Sequence, residues 1–320
     1  MTSTATSLIP VHPPDTVEPT VDVSVIVVAF RTPDLVARCV QSVHDQNRGL
    51  VVEVLVVEND PQDGTAQALA ELDAPCRVIS PGANLGFARA VNLAAVHARG
   101  RYLLLLNPDA LVVDAAVDRL VEFADRRPGH GLYGGRTVDG VGRLDPRSCW
   151  GLPTLWSTLC FAVGLSSLCK RHPLFDPESL GRWERDSVQT VDVVTGCLCL
   201  VPSDTWRALG GFDEQFFVYG EDVDLAVRAR SVGFRPLLCP DATVVHEVGR
   251  ASATRADKLL LLHRGKVSLF RKHWTPRRAR LGVALLRTGV VVRGALAGGS
   301  WRELHRRRHD WVDGHPELAA

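Results

Sequence analysis

Apolar positions divide the first part of the chain into two alternating kinds of segment. Val21–Phe30 (VDVSVIVVAF) and Val51–Val57 (VVEVLVV) are β-branched and almost wholly apolar, the pattern of strands buried on both faces. Cys76–Ser80 and Tyr102–Leu106 (YLLLL) predict two more strands. Between them the period lengthens. Over 33–46, Leu35, Val36, Val40 and Val43 fall at helical spacing. Further helices are predicted over 63–71, 84–99 and 114–127. Strand and helix in alternation give a parallel sheet with right-handed crossovers, and functional residues in such sheets lie beyond the strand C-termini. Those positions are Ala29–Arg31, Glu58–Asp60 and Asn107–Asp109.

After about residue 128 the rhythm breaks, and 130–190 reads as irregular, with Gly, Pro and Trp scattered through it. A strand is predicted over 191–201, where alternation would put Cys197 and Cys199 on one face. A short helix over 203–209 has Ser203 as its expected N-cap. A helix over 221–232 and strands over 235–238 and 243–246 follow, and from Ala256 onward the pattern is helical and basic.

Charge is uneven. The whole chain of 320 residues has a net charge of +1, but 264–308 holds 13 Lys and Arg against Glu303 alone, leaving an acidic body and a basic C-terminal segment. That asymmetry points to a surface, membrane or polyanion contact. Residues 1–20 are Pro/Thr-rich with no apolar core and read as a flexible leader. The eight cysteines contain no CxxC pair and read as reduced thiols of a cytosolic protein. Leu152–Cys169 is uncharged but carries Pro153 and five Ser/Thr residues, and 281–299 is interrupted by Arg287 and Arg293. Both suit a position on a membrane, and neither suits a crossing.

No GxGxxG follows the first strand and no GxxxxGK[ST] occurs, which disfavours a dinucleotide dehydrogenase or a P-loop NTPase. Instead, Glu58 and Asn59 end the second strand, followed by Asp60. Acceptors there suit a base N–H or ribose hydroxyls, though Asn-Asp-Pro is also an ordinary solvated turn. Asn107-Pro108-Asp109 follows a buried strand. It suits a metal–diphosphate site, since hard divalent ions take carboxylate oxygen, or else a simple turn. Glu221-Asp222-Val223-Asp224 opens a helix beside an aromatic loop, where a carboxylate suits a general base or a helix cap. His246 ends a strand, as a ligand or as a structural histidine.

The order of these motifs is more specific than any one of them. Glu58-Asn59 is followed by Asn84-Leu85-Gly86-Phe87-Ala88 with Asn92, then Asn107-Pro108-Asp109 and Thr195-Gly196. Gly210-Gly211-Phe212-Asp213-Glu214, Glu221-Asp222 and His246 with Gly249 and Ser252 come later. The series resembles the family 2 glycosyltransferases, inverting enzymes of the GT-A fold. Within them it is similar to bacterial rhamnosyltransferases acting on polyprenyl-diphosphate-linked acceptors. The resemblance covers about residues 21–275.

The resemblance implies an α/β fold, a Rossmann-like, mixed and mainly parallel sheet flanked by helices, with the basic helical segment as a C-terminal extension. It divides the chain into a leader (1–20), a transferase domain (21–275, with a nucleotide-sugar half to 128 and an acceptor half after it) and a basic tail (276–320). It assigns donor binding to Ala29, Arg31, Glu58, Asn59, Asn84, Gly86, Phe87, Asn92, Asn107 and Asp109, and the acceptor side to Gly211, Phe212, Asp213 and Glu221. Asp222 is the implied catalytic base, and Asp109 with His246 the implied ligands of Mg²⁺ or Mn²⁺. Asn107 departs from the family's acidic triplet by being neutral, which leaves the metal's identity open.

The implied reaction moves a sugar, L-rhamnose from dTDP-rhamnose in the first instance, onto a saccharide hydroxyl in cell-wall or surface-polysaccharide synthesis. A UDP-hexose donor or a soluble acceptor is the alternative. A binding protein without catalysis is the alternative from another class. Nucleic-acid binding by the tail is disfavoured, since the tail lacks the interleaved aromatics of a single-strand platform. The expected location is cytoplasmic, peripheral on the inner face of the membrane. Leu281, Leu285, Val292 and Leu296, ringed by Arg277, Arg278, Arg280, Arg287 and Arg293, form the expected contact.

Overall fold

The computed structural model describes residues 21–246 and 254–316; the leader, Gly249 and Ser252 lie outside them. Four parallel strands form one half of the main sheet: β1 (Val21–Ala29), β2 (Val52–Glu58), β3 (Arg77–Ile79) and β4 (Gly100–Leu106), in the order β3-β2-β1-β4. The unbroken apolar run of β1 is used on both sides. Val23, Val25 and Val27 enter one core, Ile26 and Val28 the other. Helices α1 (Pro33–Gln46), α2 (Thr65–Ala70) and α4 (Ala116–Arg126) cover the first face, and α3 (Gly86–His97) the second.

The second half adds β5 (Ala110–Val112), β6 (Tyr133–Val138), β7 (Cys149–Trp150), β8 (Gln189–Thr190), β9 (Val193–Val194), β10 (Leu198–Pro202) and β11 (Leu237–His246). The sheet continues β4-β10-β6-β11-β5, with β10 antiparallel to both neighbours and β11 parallel to β6. Helices α5 (Leu155–Ala162), α6 (Leu165–Leu168), α7 (Ser203–Leu209) and α8 (Glu221–Ser231) lie between these strands in sequence. Then come α9 (Arg255–His273), α10 (Pro276–Ala297) and α11 (Gly299–Arg306). The sheet is mixed and mainly parallel, flanked by helices and followed by a helical extension, as the sequence implies.

Four local expectations change. The 130–190 stretch is not wholly irregular, since it contains β6 and α5. The glycines that hid β6 are required by packing: a Cβ at Gly134 would lie 2.6 Å from Val194, and at Gly135 2.2 Å from Leu198. The two strands expected over 235–246 are one strand, β11, whose register against β6 shifts between Leu238 and Thr243. Cys197 and Cys199 enter opposite cores, because Cys197 precedes β10 and its N–H turns to the Thr195 hydroxyl. Ser203 is the first residue of α7, not its cap, and its hydroxyl donates to the Gly100 carbonyl at 2.5 Å. All eight thiols are unpaired.

The basic segment has a core of its own. Leu260, Phe270, Leu286, Val290, Leu304 and Trp311 are buried together, so the expected boundary near residue 275 falls inside this cluster. Gly289 lets α10 press on α5, where a Cβ would meet the Phe161 ring at 2.4 Å. Arg293 does not ring an outer apolar face. Its guanidinium lies 3.7 Å from the Phe161 ring centroid and donates to the Phe161 carbonyl at 2.6 Å, satisfying the end of α5. Leu281 and Leu296 are exposed as expected, while Leu285 and Val292 are half-buried.

Candidate active site

A cavity of about 760 Å³ opens beyond the C-terminal ends of β1 and β4, and Asn107, Asp109, Thr195, Glu221, Asp222 and His246 all line it. A second cavity of about 390 Å³ adjoins it, lined by Arg31, Asp60 and Gln62, with Phe30, Asn59 and Asn84 bordering both. Residues from distant parts of the sequence therefore meet at one edge of the sheet, as the topology of an open α/β fold requires.

Strand pairing brings Asp109 to His246. The Asn107 N–H donates to the Cys197 carbonyl at 3.2 Å, and the Asn107 carbonyl accepts from Ala110, closing a tight turn at the end of β4. Ala110 then pairs with His246 in the β5–β11 ladder. His246 Nε2 lies 3.2 Å from Asp109 Oδ1, and its Nδ1 lies 3.4 Å from Asp145 Oδ2. Burial alone would lower the imidazole pKa, but hydrogen bonds to Asp109 and Asp145 carry it up to about 12. Asp145 is buried too, yet bonds from His246 and Arg147 hold its carboxyl well below the usual carboxylate range.

The Glu221–Asp222 corner has the opposite character. Tyr219 and Gly220 both adopt left-handed backbone, at φ 66° and 105°, turning the aromatic loop sharply into α8. A Cβ at Gly220 would meet the Phe216 ring at 2.9 Å, so the turn also needs a bare backbone. Asp222 Oδ1 accepts the Val223 N–H at 2.8 Å, and the Gly196 N–H also binds this carboxylate. Burial nevertheless pushes Asp222 up to about 6. Burial, and then the Asp222 charge, raises Glu221 well above the usual carboxylate range, and Glu221 Oε2 has no hydrogen-bond partner among the described residues. Asp224, two residues on in the same turn, is fully buried but ionised. His273 at 2.7 Å, Lys272 at 2.6 Å and Arg228 at 2.8 Å oppose the effect of burial and bring it to about 2.

The Asn84–Asn92 motif is largely a joint. Asn59 donates to the Gly86 carbonyl and accepts from Leu85, and Asn84 accepts from the Gly86 N–H at 2.9 Å. Gly86, at φ 77°, approaches so closely that a Cβ would sit 2.3 Å from the Phe217 carbonyl oxygen, and the Phe87 N–H donates to that same oxygen. Gly86 and Phe87 line the main cavity. Asn92 lines neither cavity; its amide holds Phe212 through both backbone polar groups.

Other expected residues also stand behind the walls. Ala29 and Glu58 line neither cavity, and both Glu58 oxygens are engaged, by the Ala66 N–H at 3.0 Å and the Ser80 hydroxyl at 2.6 Å. Gly211 accepts from Arg228, Phe212 packs on Phe87 and Trp206, and Asp213 pairs with Lys272 at 2.5 Å. Arg31 borders the smaller cavity, with its Nε 2.8 Å from Asp60.

Comparison with known proteins agrees with this geometry. The profile of the family described as Glycosyl transferase family 2 matches residues 24–169. A Mycobacterium tuberculosis protein, N-acetylglucosaminyl-diphospho-decaprenol L-rhamnosyltransferase, is 29% identical over 285 residues, covering 82% of this chain and 89% of its own. The chain is a glycosyltransferase whose residues 24–169 match family 2. The transferase is also 28% identical to the O-antigen biosynthesis protein RfbC of Myxococcus xanthus, over 74% of this chain and 18% of that protein. Among solved structures it is similar to the mannosyltransferase PcManGT of Pyrobaculum calidifontis in complex with GDP-Man and Mn²⁺. The TM-score is 0.58 at 19% identity, over 92% of this chain and 86% of that one. GalNAc-T7 with UDP, GalNAc and Mn²⁺ gives a TM-score of 0.59 at 14% identity, over 92% and 55%. These two likenesses establish the GT-A fold.

The transferase cavity also contains residues that the sequence motifs do not mark. Asp145, Arg147, Lys258 and Lys266 line it, the first two from the turn after β6 and the others from α9. Asp145-Pro146-Arg147 reads locally as a turn, and only the tertiary pairing of β6 with β11 carries it to His246.

Proposed function

We propose that the transferase moves a sugar, with inversion, from a nucleoside diphosphate donor to a hydroxyl of a polyprenyl-diphosphate-linked saccharide. L-Rhamnose from dTDP-rhamnose is the proposed donor pair, in cell-wall or surface-polysaccharide synthesis. The observation that carries the reaction type is the pairing, in one cavity, of a buried carboxylate raised to about 6 with Asp109 and His246, whose imidazolium would give up its Nε2 proton on binding a metal. The mycobacterial relative's stated reaction supports the transferred sugar and the acceptor.

Asp222 is the proposed base. A saccharide hydroxyl has a pKa far above 7, and a base near neutrality gives the most effective general-base help, about 10²–10⁴-fold. Asp222 removes the proton as the hydroxyl attacks the anomeric carbon opposite the leaving diphosphate. Burial raises Glu221 beside it as well. Asn59, Asn84 and Arg31 border the space assigned to the nucleoside, and Glu58 and Asn92 position those walls from behind.

The donor set at Asp109 and His246 fits a divalent cation. Among the described residues no group of three or more His, Cys, Asp or Glu side chains converges as a metal cage. A carboxylate with one imidazole, the remaining positions falling to water and phosphate, suits Mg²⁺ or Mn²⁺. His246 would bind through Nε2 while Nδ1–H points to Asp145, an arrangement that fixes the tautomer. Such an ion offsets the charge that builds on the departing diphosphate.

The extension is the proposed membrane contact. Arg277, Arg278, Arg280 and Arg287 are exposed on α10 with Leu281 and Leu296, and no helix among the described residues is long and apolar enough to cross a membrane. Each basic residue near an anionic leaflet contributes about 1 kcal/mol. We therefore assign the membrane contact chiefly to the exposed face of the helices after residue 275, which share a core with the transferase domain, peripheral on the cytoplasmic face. The test is a screen of sugar nucleotides with Mg²⁺ or Mn²⁺ and a prenyl-diphosphate-linked N-acetylglucosamine. Turnover with dTDP-rhamnose is expected. Turnover with a UDP-hexose alone, or with a water-soluble acceptor alone, overturns the corresponding half of the reading.

A further inference from the structure

The main cavity does not end at the metal corner. Its lining includes Arg147 and Lys258 and an apolar arm of Pro153, Phe161, Leu261, Leu262, Leu269 and Leu286, drawn from α9, α10 and the α5 region. Leu262 lines this arm and is itself 37% exposed. The neighbouring outer positions of α5 are apolar and exposed as well, at Trp156, Leu159 and Val163.

Charge is distributed unevenly along the arm. Lys266 is neutralised by Glu178 at 3.0 Å. Arg147 is held by Asp145, which His246 shares. The ammonium of Lys258, half-buried in the first turn of α9, has no ion pair or hydrogen bond among the described residues. Burial and the nearby Arg147 charge both depress its pKa, offset in part by Asp109 and Asp145. An ammonium placed in a cavity against another cation is an unfavourable arrangement until an anion enters. Next to it lies an apolar channel, which a hydrophilic nucleotide has no chemistry to fill.

We propose that this junction seats a prenyl diphosphate: Lys258 and Arg147 hold the diphosphate of the acceptor, and the arm between α5, α9 and α10 takes its first isoprene units. The inference rests on the lipid-linked acceptor reading and specifies where that acceptor lies. A nucleoside diphosphate offers the same anion from the donor side, so the two sources must be separated by experiment.

The test uses the full chain and farnesyl diphosphate, which carries the anion and a short prenyl chain but no sugar. Binding is followed by calorimetry, with inorganic diphosphate, farnesol and dTDP as the comparison ligands. Farnesyl diphosphate is expected to bind and to compete with the lipid-linked acceptor. Lys258→Ala is expected to weaken it at least about tenfold, the value of one charge-assisted contact, with Lys258→Arg restoring most of the affinity. Binding of dTDP is expected to stay within about twofold in Lys258→Ala, since the nucleoside side is intact. Leu262→Asn is expected to weaken farnesyl diphosphate and leave inorganic diphosphate unchanged, and as a surface-reaching position it spares the core. Unchanged farnesyl diphosphate binding in Lys258→Ala overturns the seat, as does a loss confined to dTDP, which would give Lys258 to the donor. The two readings fail differently. A chain that glycosylates lipid-linked acceptors but binds no farnesyl diphosphate overturns the seat alone. A chain that glycosylates only water-soluble saccharides overturns the acceptor reading, and the seat with it.

Discussion

The two acidic corners of the cavity are built from the same residue types and reach opposite electrostatic states. At the Asp109–Asp145–His246 corner, a ring nitrogen faces each carboxylate and Arg147 stands behind, so buried charge is matched by buried charge. At the Glu221–Asp222 corner backbone N–H groups bind Asp222, and burial prevails, raising it to about 6. Asp224 is the internal control. It lies two residues from Asp222 in the same helical turn, has no exposed surface, and sits at about 2 because Lys272, His273 and Arg228 surround it. Burial alone does not decide a carboxylate's behaviour; the cations within reach do. A site that keeps one acid ionised and holds another near neutrality has separated its charge-handling and proton-handling tasks.

The strongest way to break this comparison is to remove the proposed base. Asp222→Asn keeps the shape and the Val223 N–H contact but cannot accept a proton. Turnover is expected to fall by about 10²–10⁴-fold, with donor affinity hardly changed. Steady-state rates together with dTDP binding by calorimetry check both halves. Near wild-type turnover would give the proton to another group.

The other corner is sharpened through Asp145, which touches no proposed substrate. Asp145→Asn removes the anionic partner of His246 Nδ1 while leaving Asp109 and His246 in place. Divalent metal affinity is expected to drop about 10–100-fold. Calorimetric titration with Mn²⁺ reads this without turnover, and saturating metal should recover most of the rate. An unchanged Mn²⁺ isotherm would separate Asp145 from the metal.

The sequence disclosed these corners unequally, for physical reasons. The first half was legible because β1, β2 and β4 are apolar enough to be buried on both faces, and their ends place Asn107 and Asp109 where such sheets put chemistry. Asp222 and His246 were legible from motif order rather than from periodicity. Asp145, Arg147 and Lys258 were not, because each sits in locally ordinary sequence and becomes part of the cavity only through long-range packing. Conversely, Glu58 and Asn92 carry strong motif signals, yet their polar atoms are spent on Ala66, Ser80 and Phe212. A motif marks a residue that matters to the site without saying whether it faces the ligand or holds the wall.

Asp224 offers a smaller test, on stability rather than rate. Its folded pKa is depressed, so its contribution is present above the unfolded value and is lost as pH falls through about 2. The drop from 3.8 to about 2 corresponds to about 2 kcal/mol. Denaturant unfolding of wild type and Asp224→Asn at neutral pH should differ by at least that much, and the gap should close as the pH falls below about 4. A gap independent of pH would mean that packing, not charge, ties α8 to α9.

The smallest expected effect is the most direct reading of the comparison. A base must be ionised to accept a proton, so turnover should follow the ionised fraction of Asp222, rising through about pH 6 and levelling above it. At one unit below that value the rate should be down by about tenfold. Glu221 beside it is raised as well, by burial and by the Asp222 charge, so the two carboxyls titrate as a pair and the limb belongs to both. The measurement is turnover against pH at saturating donor, acceptor and metal, alongside Asp222→Asn, whose residual rate should show no limb there. A limb near 4, the ordinary carboxylate range, would mean that Asp222 is well hydrated in the working enzyme. The contrast with the Asp109 corner would then rest on position alone.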